Sequence, residues 1–225
     1  MFRSPFAKVQ LDYLEATKAV CLKRYVSRLP IFLATLLLTA CGTWIHDDIP
    51  DGDLGGTVSV DWTSEDLFVY RPGKDPLWFK PSFLMNTNQR IQPTAVVTDG
   101  GSIPRFFWNI PGLSPWALGP AYVIHDYIFT VHRCGWNDAA DAVASQITFD
   151  QSALVLAEIG KALLDRKLVQ HDALDAIVWG VRTQYARNLW NTPLSGKQCE
   201  RPKARAFVKG EVVPVVRFKI PPIRR

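Results

Sequence analysis

The sequence predicts an α+β fold, with a small N-terminal antiparallel sheet packed on three to four helices. Three observations predict it. Between residues 57 and 98 short runs alternate polar and apolar side chains, as in Thr57-Val58-Ser59-Val60-Asp61-Trp62, the signature of half-buried strands. After residue 115 the apolar spacing lengthens to three and four, as on a helix face. Hydrophobic residues make up 48% of the 225 and charged ones 21%, which suits one packed core and argues against a disordered chain.

The chain opens on a leader. Lys23, Arg24 and Arg28 precede the apolar run Leu29–Ala40, which ends in Leu38-Thr39-Ala40-Cys41-Gly42. A cationic flank before a short apolar stretch is a secretory signal, and about 12 residues is too short for a helical membrane span. The ending resembles the bacterial lipobox, so residues 1–40 are expected to be a lipoprotein signal and Cys41 the lipidated residue that anchors the chain to a membrane. The long segment before the apolar run leaves a start near residue 20 open. Gly42 after the cysteine, where Asp would retain the protein, points to the outer membrane, facing the periplasm of the bacterial envelope. Residues 41–56, rich in Asp and Gly, are expected to form a flexible tether, 57–196 a globular domain and 197–225 a basic tail.

Charge follows the same division. Residues 1–40 carry +4 and residues 197–225 carry +7, while the body between them carries −6. A nucleic-acid-binding domain is basic in its body, so no nucleic-acid partner is expected. The tail would meet anionic lipid or the acidic body. Cys134 and Cys199 remain beyond the leader; in an oxidising compartment they are candidates for a disulfide, or else two separate thiols.

Strands are expected at 57–62, within 67–70 and at 77–79, with Arg71–Pro76 as turn chemistry between the last two. Gly119-Pro120 starts a helix that runs to about His132 and ends at Gly135, a residue suited to a left-handed cap. Asn137 is placed to cap a second helix, with Asp138 in its first turn. Two more are expected at Gln151–Val169 and Asp172–Trp190. In the last, Leu174, Ile177, Val178, Val181 and Tyr185 form a stripe expected in the core. Valines at 212–216 suit an edge strand, where proline is tolerated.

Chemistry concentrates in Asp99–Asp141. Thr98-Asp99-Gly100-Gly101-Ser102-Ile103-Pro104-Arg105 is followed by Ile124-His125-Asp126-Tyr127 and by Ala140-Asp141. His125 lies on the helix face of Leu118, Ala121, Tyr122, Ile128 and Phe129, partly desolvated. A short turn after it would return an antiparallel neighbour and bring Asp141 towards the imidazole. A carboxylate on one ring nitrogen fixes the tautomer and frees the other as a base, which makes His125 and Asp141 the candidate catalytic pair. Structural roles stand beside these: a core histidine, a turn at Asp99, a surface Asp126, and an Asp141 paired with Arg182 or Arg105. Ser102 lacks the sharp elbow of a serine nucleophile.

These segments resemble the domain of unknown function 1353 of phages and bacteria, over about residues 60–190, with Gly101 and Phe129 where the family tends to have Ala and Tyr. The resemblance implies no activity. His125-Asp126 followed by Asp141-x-x-Ala is also similar to the active-site helices of secreted phospholipases A2, although the flanking cysteines and calcium loop of that family are missing. That similarity implies His125 as base, Asp126 as a calcium ligand and Asp141 as the residue orienting His125; Asp99 would then offer oxygen to the same cation. The expectation is therefore a hydrolytic or metal-binding site acting on an envelope lipid or cell-wall component. The alternative is a non-enzymatic, prophage-type lipoprotein that binds an envelope or phage component through the aromatic stretch Phe106–Trp116.

Overall fold

The structure is a computed structural model, and it describes residues 48–62, 68–100, 116–169, 174–202 and 213–222. All fall in the unit His46–Arg225. Cys41 in the expected leader, and residues 101–115 with Ser102, Arg105 and most of the aromatic stretch, lie outside the described residues.

Among the described residues six strands and four α-helices make an α+β arrangement. β1 (Asp53–Gly55) pairs antiparallel with β4 (Trp78–Lys80) in a two-stranded sheet. β2 (Thr57–Trp62), β3 (Phe68–Tyr70), β5 (Val96–Thr98) and β6 (Val213–Lys219) make a second sheet, antiparallel in the order β5-β3-β2-β6. The strand expected in the tail is thus at the sheet edge, with its register shifting opposite Val60 and Asp61. The alternation in β2 buries Val58 and Val60 completely.

Residues 48–56 are not a tether. Ile49 and Leu54 join the core, the Lys161 ammonium donates to the Ile49 carbonyl (2.6 Å) and pairs with Asp51 (2.8 Å), and β1 follows at once. Their apolar residues are few but each finds a pocket, which composition alone does not reveal. Beneath this segment Glu158 is fully buried. It accepts from the Ser82 backbone N–H (2.9 Å) and hydroxyl (2.5 Å), and burial raises its pKa to about 7. Gly52 passes so close to Glu158 and Phe79 that a Cβ would overlap both.

The helices are α1 (Gly119–Cys134), α2 (Phe149–Asp165), α3 (Leu174–Gly180) and α4 (Gln184–Trp190). α1 starts with proline in its first turn and ends on Gly135 at φ 62°, where a side chain would be strained. It is more central than one apolar stripe implies: Ala121, Val123, Ile124, Tyr127, Ile128 and Val131 are all buried. No helix begins at Asn137. Turns and a short 3-10 helix (Ala144–Gln146) fill the interval, and α2 starts where Thr148 and Gln151 form a reciprocal capping box, a stronger start signal than a lone Asn.

The expected 172–190 helix is broken. α3 stops at Gly180, and Thr183 accepts from the Ala186 N–H to begin α4. Phase is lost at the break, so Tyr185, expected in the core, is 70% exposed, while Leu174, Ile177 and Val178 are buried. Cys134 at the end of α1 is disulfide-bonded to Cys199, with Cα atoms 5.5 Å apart. No described helix is long and apolar enough to cross a membrane.

Candidate functional site

β5 ends by delivering Thr98 and Asp99 onto the side of α1. The Thr98 hydroxyl accepts from the Gly100 N–H (3.1 Å) and donates to Asp126 (2.6 Å). The Asp99 backbone N–H donates to the same carboxylate. Gly100 has φ 76°, a conformation that glycine adopts without strain, so the turn holds Asp99 beside Asp126. One turn of α1 contributes three polar side chains here. Tyr122 and Asp126 are four residues apart and Tyr122 and His125 three apart, the spacings that bring side chains together on a helix.

Two of these groups are unsatisfied. The Tyr122 Oη and His125 Nε2 are buried without a hydrogen-bond partner among the described residues. A buried polar atom left unpaired costs about 1–3 kcal/mol. The His125 ring rests on Phe129 (4.5 Å between centroids), which meets Trp190 edge-on at 4.9 Å. The imidazole therefore has an aromatic floor and a polar edge.

His125 and Asp126 each keep a little surface in contact with solvent, but both lie deep in the surrounding protein, and desolvation dominates their titration. Burial lowers the His125 pKa to about 4 against the opposing pull of the Asp99 charge. Burial, then repulsion from Asp99, raises that of Asp126 to about 7, and the bonds from Thr98 and the Asp99 N–H only moderate the rise. Burial and the Asp126 charge both raise Tyr122, so its phenol stays protonated. At neutral pH the imidazole is uncharged and Asp126 is the group poised to exchange a proton.

Asp141 is elsewhere. The Tyr127 hydroxyl donates to it (2.6 Å), and Arg201 forms an ion pair with it while also bonding Asp138 (2.9 Å) and Thr94 (2.8 Å). Its role as the residue orienting His125 is corrected by the helix itself. Residues two apart point about 200° apart around the axis, so a carboxylate bonded to Tyr127 is on the far side of α1 from His125. Among the described residues the cation that pairs with it is Arg201, whose guanidinium lies 4.0 Å from the Trp136 ring centroid; Arg105 lies outside the described residues. The expected cation ligands Asp99 and Asp126 do come together. Among the described residues, however, no three His, Cys, Asp or Glu side chains gather as a metal-binding group, and calcium takes about six to eight oxygens.

This arrangement lies within one recognisable segment. Residues 82–157 match the family described as a protein of unknown function (DUF1353). No curated protein and no solved structure matches the chain. The DUF1353 segment contains Thr98, Asp99, Tyr122, His125 and Asp126, and also Tyr127 and Asp141. It does not contain Arg201 or Cys199. The unsatisfied cluster is complete within the DUF1353 segment, whereas the Asp141 network is closed by a residue from outside it.

Sequence reasoning missed Tyr122, Thr98 and Arg201 as working residues. Tyr122 had a signal, its spacing of four from Asp126, but it read as one more member of an apolar stripe. Thr98 stood in the Thr-Asp-Gly-Gly run as a strand end. Nothing local marks Arg201, 60 residues beyond its partner.

Proposed function

We propose that the chain is an envelope lipoprotein, anchored through Cys41, whose Asp99/His125/Asp126 cluster is a hydrolytic site acting on an envelope lipid or cell-wall component. The observation that carries the reading is Asp126: a carboxylate with a pKa near neutrality, beside an uncharged imidazole with an unpaired buried nitrogen. A proton carrier is most effective when its pKa lies near the working pH. Asp126 takes the proton of an attacking water and returns it to the leaving group. His125 Nε2 holds that water, and Thr98 fixes the carboxylate. This places the base on Asp126, with His125 in a positioning role. The Cys134–Cys199 disulfide supports an oxidising compartment, where such bonds persist, in keeping with the leader and lipobox.

Binding without catalysis is the alternative. It rests on the aromatic stretch, of which only Trp116 is described; that ring is half-buried and meets Phe68 edge-on at 5.3 Å, packing that contributes to the body of the domain.

One experiment addresses anchor and site together. The full-length chain, Cys41→Ser and Asp126→Asn are expressed in bacteria with labelled palmitate, and ester hydrolysis by each is followed from pH 5 to 9. The expected result is label on all but Cys41→Ser, activity in the parent that rises through about pH 7 as Asp126 ionises, and loss of activity in Asp126→Asn. An active Asp126→Asn, or a profile flat through pH 7, overturns the hydrolytic assignment; equal labelling of Cys41→Ser overturns the anchor.

A further inference from the structure

Tyr122 has no part in the proton transfer just described, yet it is a buried polar group of the cluster. It is 4% exposed and its hydroxyl has no partner among the described residues. Phenylalanine would fill the same volume with no orphaned oxygen, so the hydroxyl is a burden to the fold. It stands over Asp126, one turn earlier on α1, and the charge of that carboxylate is felt at the phenol. A phenol held protonated is a hydrogen-bond donor, and this one lies one helix turn from Asp126 with no acceptor among the described residues.

Local charge restricts what that group can be. Asp99 acts electrostatically on both His125 and Asp126, and among the described residues no Lys or Arg contributes to the field at either. A phosphate or carboxylate brought here would meet two carboxylates.

Resting on the hydrolytic reading, we infer that Tyr122 is a further catalytic residue, whose hydroxyl donates to the carbonyl oxygen of an uncharged acyl substrate, an ester or an amide. Charge balances along this route. Water oxygen bonds to the acyl carbon, and its proton passes to the ionised Asp126. The carbonyl π pair moves to oxygen, so the negative charge leaves Asp126 and appears where Tyr122 donates. The tetrahedral adduct then re-forms its carbonyl, the bond to the leaving oxygen or nitrogen breaks, and Asp126 returns the proton to that atom. The products are a carboxylic acid and an alcohol or amine. Asp126 takes up one proton and gives it back, so it ends ionised as it began. Preorganised donors of this type account for about 100-fold or more in turnover.

The test uses the full chain with three chromogenic probes: p-nitrophenyl butyrate, N-acetyl-alanine p-nitroanilide and p-nitrophenyl phosphate. Parent, Tyr122→Phe and Asp126→Asn are compared, with inhibition by an uncharged trifluoromethyl ketone as a binding readout. The expected result is hydrolysis of at least one acyl probe and not of the phosphate. Tyr122→Phe should lose about 100-fold in kcat with KM within about threefold. It should bind the ketone, whose hydrate mimics the tetrahedral adduct, at least tenfold more weakly. Its melting temperature should be unchanged or higher, which a merely structural tyrosine would not show. If the parent is active and Asp126→Asn is dead but Tyr122→Phe matches the parent, the Tyr122 role is wrong and the hydrolytic reading stands. Preference for the phosphate overturns the substrate class. A parent that cleaves no acyl probe and does not bind the ketone overturns both.

Discussion

α1 carries two acidic networks on opposite sides, and they are built to different ends. On one side Asp141 is wholly buried and answered: a phenol donates to one of its oxygens and a guanidinium pairs with both. On the other, Asp126 receives a hydroxyl and a backbone N–H but lies beside another acid, and its neighbours Tyr122 and His125 each leave a buried atom unpaired among the described residues. Both set a tyrosine and a threonine beside aspartates; the closed one adds Arg201 and the open one His125. What separates them is satisfaction: the closed network ties the chain together, and the open one retains capacity for something that is not part of the chain.

The sharpest way to break this contrast is to open the closed side. Arg201→Met keeps an unbranched apolar stem but takes the guanidinium away from Trp136 and strands the Asp141 carboxylate in the interior, a change that costs about 3–5 kcal/mol. Chemical denaturation should show that loss; a loss under 1 kcal/mol would mean that the two networks do not differ as described.

The next effect has the opposite sign. Between its ordinary value of 3.8 and about 7, Asp126 has already ionised in the unfolded chain but keeps its proton in the folded one. Stability from this group is therefore greatest below its unfolded pKa and is lost as pH rises through about 7. Asp126→Asn escapes the penalty. Allowing for residual solvent screening, it should gain about 2 kcal/mol at pH 8 and almost nothing at pH 4. Parallel stability–pH curves for parent and variant would contradict the assignment.

The smallest effect is the cleanest comparison, because one substitution is made on both sides. Tyr127→Phe removes a donor from Asp141 and should cost about 1–2 kcal/mol, whereas Tyr122→Phe removes an orphan and should be neutral or gain about 1 kcal/mol. Equal costs would erase the distinction between the networks.

Legibility followed locality. α1 was readable almost to its ends because proline at its start and glycine at its cap are signals within the helix itself. β2 was readable because alternation needs only its own residues. The break between α3 and α4 was missed because Val181 continues the apolar spacing, while the Thr183 cap that restarts the helix is one polar residue among several. At the site, Asp99, His125 and Asp126 were legible as a group, since a short turn and one helix turn bring them together. Asp141 was misplaced because the turns after Gly135 return the chain to the Tyr127 side of α1, and no periodicity encodes that choice. Its true partner depends on a chain reversal tied by Cys199, which sequence spacing does not specify.

The edge strand β6 carries one more implication. It pairs with β2 across most of the domain's sequence, and the Ile220 N–H then donates back to the Gly56 carbonyl. Until residues 213–219 arrive, β2 keeps a row of unpaired backbone groups, the kind of edge that invites aggregation, and the sheet can close only through a pairing with a large loop-closure cost.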